Sequence, residues 1–113
     1  MLEKTLQLTM MYDYYGQLLT EKQQKVMELY FFHDLSLGEI AEQQDISRQG
    51  VYDHLHRAEE VLQEYEEKLG LVARNKKVRN ELDDFAREIE NSSAVSEIRE
   101  RVLSYIARLK GMI

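Results

Sequence analysis

The stretch Ser47-Arg48-Gln49 offers the most directed chemistry in this 113-residue chain. A serine oxygen can accept the free N–H groups that open a helix. An arginine beside it can take guanine through two parallel hydrogen bonds, and a glutamine can do the same with adenine. Tyr52, Asp53 and Arg57 follow at helical spacing, so Ser47, Arg48, Gln49, Tyr52, Asp53 and Arg57 form one candidate DNA-contacting set. The same residues suit a solvated face on a helix whose partner is a protein, and residue types alone leave both readings open. A second set lies further on. Arg74, Lys76, Lys77 and Arg79 put four cations within six residues. They are candidate contacts to phosphate or to an acidic partner, and equally a plain solvated turn.

Catalysis has no comparable support. Without cysteine there is no thiol nucleophile, no disulfide and no cysteine-held zinc. His54 and His56 stand two residues apart and point to different sides of a helix. No glycine-rich phosphate loop and no nucleophile elbow occurs. The expectation is a protein that is not an enzyme, with no metal and no cofactor.

The elements that must carry these residues read as helices. Proline is absent, where average usage gives roughly six, and the five glycines are scattered. The first segment, 2–15, shows Leu2, Leu6, Met10 and Tyr14 at steps of four, with Leu8, Met11 and Tyr15 widening the stripe, and Gly16 as its end. Thr20-Glu21-Lys22-Gln23 and Ser36-Leu37-Gly38-Glu39 both have the form of a capping box that opens a helix. Asp45-Ile46-Ser47 is a tight connection in which Asp45 tolerates a left-handed conformation. A long helix then runs from Arg48 with Val51, Leu55, Ala58, Leu62, Tyr65 and Leu69 on one side, until Gly70 stops it. Beyond it, Val78, Leu82, Phe85 and Ile89 form one stripe. Val95, Ile98, Val102, Tyr105 and Leu109 form another, with Asn91-Ser92-Ser93 as turn and cap between them. Two antiparallel helices are the economical reading.

The middle helices follow a stricter pattern. Two helices crossing steeply need a small residue where they meet, an aliphatic in the turn, and an aliphatic one turn into the second helix. Ala41, Ile46 and Val51 supply these, and Ile40 and Leu55 extend the helix-turn-helix core.

At these residues the chain resembles a known family. Leu19 to Gln24, Leu35 to Ala41 and Ile46 to Val51, continued by His56-Arg57-Ala58, look like region 4 of bacterial primary-type sigma factors over about residues 18–62. Over its whole length the chain is similar to the YlxM-like helix-turn-helix proteins, encoded beside the signal recognition particle GTPase genes in Gram-positive bacteria. That resemblance implies an all-α, sigma-region-4-like fold, with an N-terminal helix, a long recognition helix and a C-terminal helical pair. It also implies a link to the signal recognition particle pathway. The expected organisation is a helix-turn-helix domain at 1–70 and a hairpin at 71–113, packed on it as one unit.

Charge divides the functional expectation. The formal net charge is −6, and between Thr20 and Gly70 five lysines and arginines stand against twelve acids. DNA readers meet phosphates with cations, so the acidity favours a protein- or ribonucleoprotein-binding adaptor, with the particle's protein or RNA as partner. The Ser47-Arg48-Gln49 start favours a regulator that binds DNA through residues 47–57. The C-terminal stripes, with little to cover them inside so short a chain, lead to the expectation of a homodimer. With no apolar run near 20 residues and no basic start before an apolar one, the chain is expected to be cytoplasmic without membrane insertion.

Overall fold

The structure, a computed structural model, describes residues 2–113, and the side chain of Leu2 lies outside what it describes. Among the described residues it is all helix and turn: α1 (Leu2–Tyr15), α2 (Glu21–Met27), α3 (Leu37–Gln44), α4 (Arg48–Leu69), α5 (Leu71–Glu90) and α6 (Ser96–Lys110). It falls into two compact units, one ending at Val72 and the other Ala73–Ile113.

Local chemistry sets the element ends in the first unit. Thr20 Oγ1 accepts from the Gln23 N–H at 3.1 Å while Gln23 Oε1 accepts from the Thr20 N–H at 3.0 Å. Ser36 and Glu39 repeat the exchange, at 3.1 Å both ways, so both capping boxes form. The Ser36 backbone N–H, and after it the Ser36 side chain, hold the Glu39 carboxyl below its usual range. α2 loosens into a π-helical stretch, Glu28–Phe32, before a left-handed Asp34 ends it. No sequence signal announced that stretch.

The core of this unit forms around α4. Val51, Leu55, Ala58 and Leu62 are buried on one side of it, against Ile40 of α3, Val26 and Met27 of α2, and Leu8, Met11 and Tyr15 of α1. Each aliphatic buried this way contributes roughly 1.5–3 kcal/mol. The α1 face differs from the stripe of fours. Leu6 is 58% exposed and Tyr14 39%, whereas Leu8, Met11 and Tyr15, taken only as widening residues, carry the packing. Both stripes have helical spacing, and only the partner helix selects between them.

Where α4 leaves the core, a part-buried polar knot closes the unit. The Tyr15 hydroxyl donates to Glu66 Oε1 at 2.7 Å and accepts from the Leu71 N–H at 3.1 Å. Glu66 Oε1 also accepts from the Val72 N–H at 3.0 Å. Two free donors at the start of α5 are thereby satisfied by side chains of α1 and α4. Tyr15→Phe should therefore cost about 1–2 kcal/mol in urea unfolding, because the part-buried Leu71 N–H and Glu66 Oε1 each lose a partner. Burial, then the bond to Glu66, raises the Tyr15 hydroxyl above its ordinary value. Burial likewise lifts Tyr12, which donates to Glu28, to about 12. A folded state that holds tyrosines neutral is stabilised below pH ~10 and loses that contribution as pH rises through the raised values. The same unfolding experiment at alkaline pH should show this loss reduced in Tyr15→Phe.

In the second unit, the carbonyls of Lys110 and Ile113 accept from the Arg79 guanidinium, and Lys110 pairs with Asp83. Arg99 donates to the carbonyls of Ser92 and Ala94 in the connection. α6 begins at Ser96 with Val95 as its cap and no side-chain acceptor. Ser92 instead organises the turn, donating to the Ile89 carbonyl. Ile106, outside the expected stripe, is the buried hydrophobic of this unit, while Val78, Phe85, Ile98, Tyr105 and Leu109 are exposed.

Candidate nucleic-acid interface

The connection between α3 and α4 fixes where α4 begins and points. Asp45 sits in the left-handed region at φ 54°. The Ile46 N–H reaches back to the Ala41 carbonyl at 3.1 Å, the bond of a Schellman ending. Ser47 then caps α4, its Oγ accepting from the Gly50 N–H at 2.9 Å. A Cβ on Gly50 would stand 3.1 Å from that oxygen. Glycine lowers helix propensity by roughly 0.5–1 kcal/mol here, and it leaves the cap room.

Ile40 and Val51 are fully buried and Leu55 is buried, as the helix-turn-helix pattern expects. Ala41 and Ile46 are half-buried and pack against that core. The deepest position on α3 is thus Ile40, and Ala41 keeps an edge toward solvent.

Ser47, Arg48, Gln49, Tyr52, Asp53 and Arg57 are all exposed. Gln49 Nε2 donates to Asp53 Oδ1 at 3.0 Å. Tyr52 lies flat against His56, ring centroids 5.9 Å apart and planes 6° from parallel. Arg57 comes within 3.9 Å of Glu64. The charge of α4 is segregated along its length: Asp53 is the single acid up to Arg57, and Glu59, Glu60, Glu64, Glu66 and Glu67 follow. At 1.5 Å per residue, Glu59 begins about 16 Å beyond Arg48. A major groove is about 8.5 Å deep, so the acids lie outside the reach of a groove entered by the first turns. Several of them are engaged besides: Glu59 with Lys4, Glu60 with His56, and Glu66 in the polar knot. Sequence reasoning missed the role of Glu66, since its partner lies 51 residues away.

The second candidate set lies on α5. Arg74, Lys76, Lys77 and Arg79 are exposed, and the Arg79 guanidinium donates to the carbonyls of Lys110 and Ile113. Among the described residues no three histidine, aspartate or glutamate side chains gather to hold a metal. No helix among the described residues is long and apolar enough to cross a membrane.

A family model described as "Putative helix-turn-helix protein, YlxM / p13 like" matches residues 2–104. A relative from Thermoanaerobacter sp. strain X514, named as a UPF0122 protein, is 47% identical over 108 residues, covering 90% of this chain and 92% of its own. One from Halalkalibacterium halodurans is 52% identical over 97 residues, covering 86% and 88%. Another from Geobacillus kaustophilus is 44% identical over 111 residues, covering 98% and 86%.

Proposed function

The chain belongs to the YlxM/p13-like helix-turn-helix family, and from that membership we propose that it is a non-catalytic regulator binding duplex DNA. The contact surface is residues 47–57 of a sigma-region-4-like helix-turn-helix. One observation carries this reading. The first turns of α4, behind the Ser47 cap, leave Arg48, Gln49, Tyr52 and Asp53 exposed, and the acids from Glu59 onward begin about 16 Å beyond Arg48 along the helix. Arg48 and Gln49 read base edges, and Arg57, Arg74, Lys76 and Lys77 neutralise phosphates. Selection of duplexes from a randomised pool, compared with Arg48→Ala, tests it.

The alternative is an adaptor of the signal recognition particle pathway, binding the particle's protein or RNA. The acidic second half of α4 favours it, and a pull-down with both components run beside the duplex selection separates the two.

The regulator acts as a homodimer in this reading. Phe85 on α5 and Ile98, Tyr105 and Leu109 on α6 are between 46% and 58% exposed, more apolar surface than a two-helix unit leaves bare without purpose. The unmodified chain should sediment as a dimer at tens of micromolar. Phe85→Asp with Tyr105→Asp should give a folded monomer. A monomeric parent protein would contradict the dimer.

A further inference from the structure

Asp53 is the one acid on the part of α4 that the groove reading sets against DNA. A carboxylate aimed at phosphates or at purine acceptors opposes binding, so its presence there calls for a different use. The hydrogen bond to Gln49 supplies one. Gln49 Nε2 lies 3.0 Å from Asp53 Oδ1, and chemistry fixes which end of the amide faces it. The flipped amide would put two acceptor oxygens together. With one N–H held, the carbonyl Oε1 and the second N–H stay open. That pair is what the N6 amine and N7 of adenine take in the major groove. An unbraced glutamine on a helix surface samples many rotamers and loses that freedom on binding, whereas a braced one has lost it beforehand. Tyr52 and His56 form a second brace of the same i, i+4 span over the same turns.

We infer that Asp53 is a positioning residue that sets the Gln49 amide for an adenine, touching no base itself. This rests on the groove reading above and adds to it the base class read by Gln49 and the residue that orients it.

The test uses the full chain and a randomised duplex pool, followed by affinities for the selected duplex and for one with its preferred A·T pair replaced. The unmodified protein should favour A·T at one position by about tenfold. Gln49→Ala and Asp53→Ala should lose that preference. Asp53→Asn, whose Oδ1 still accepts from Gln49, should keep it. Both Asp53 variants should bind all duplexes more tightly, since a negative charge is gone, which separates lost preference from lost binding. The Gln49 side-chain amide resonances should move in Asp53→Ala without DNA. An Asp53→Ala protein that keeps the A·T preference, or whose Gln49 resonances do not move, overturns the positioning role and leaves the groove reading standing. Loss of preference in Asp53→Asn as well as Asp53→Ala also overturns it, because the charge rather than the brace is then what matters. An unmodified protein that selects no sequence overturns the groove reading and the positioning role together.

Discussion

Val51→Asp should abolish the cooperative unfolding transition of the first unit. Val51 is fully buried one turn into α4, alongside Ile40 of α3. A carboxylate there loses its hydration and gains no partner. The core around it holds no buried polar side chain among the described residues. Losses of this kind exceed about 4 kcal/mol, a large fraction of the roughly 5–15 kcal/mol that keeps a domain folded. Circular dichroism with urea and thermal melts would show it. Leu6→Asp is the matched control, since Leu6 is 58% exposed, and it should stay within about 0.5 kcal/mol of the parent protein. Ala41→Glu should fall between them, because its half-buried position lets a carboxylate reach solvent. A cooperative melt of Val51→Asp at the parent temperature would show that α3 and α4 do not cross at this residue.

Sequence legibility followed the range of the interaction. Both capping boxes, the left-handed Asp45, the Ser47 cap and the Gly70 stop involve residues at most four apart, and each forms as read. The buried side of α4 was legible as far as Leu62, because 22 residues give the helical period room to repeat, but Tyr65 is half-buried and Leu69, at the end of the helix, is 56% exposed. The α1 face was not legible. At about 100° per residue its two apolar stripes lie roughly 150° apart around the helix axis, and packing against α4 decides which one is covered. The polar knot of Tyr15, Glu66 and the start of α5 joins residues 51 and 56 apart in sequence, beyond any local pattern. Of the candidate site, the structure adds that each residue named on α4 is exposed, and the bond from Gln49 to Asp53 was not foreseen. Its spacing of four is a known helix pairing, so the signal was present there unread.

Arg48→Ala should cost about 1–3 kcal/mol on the preferred duplex and flatten selectivity at one base pair. The guanidinium stands in the first turn of α4, exposed and next to the Ser47 cap, where a recognition helix meets base edges. Lys76→Ala, on α5, should weaken every sequence alike. The contrast matters more than either loss, since only a base contact changes preference. If Arg48→Ala lowers affinity uniformly, Arg48 is a phosphate contact and the base-reading role passes to Gln49 alone.

The most direct test of duplex reading is the affinity of the unmodified chain for its selected duplex and for random sequence as salt is raised from about 50 mM. With Arg57, Arg74, Lys76 and Lys77 as the cations each protomer offers to phosphate, log affinity should fall with log salt at a slope of about −3 to −4, at about 0.9 per contact. The selected duplex should remain the tighter one throughout. If no duplex binds better than random sequence at about 50 mM salt, α4 does not read a groove and the adaptor reading takes its place.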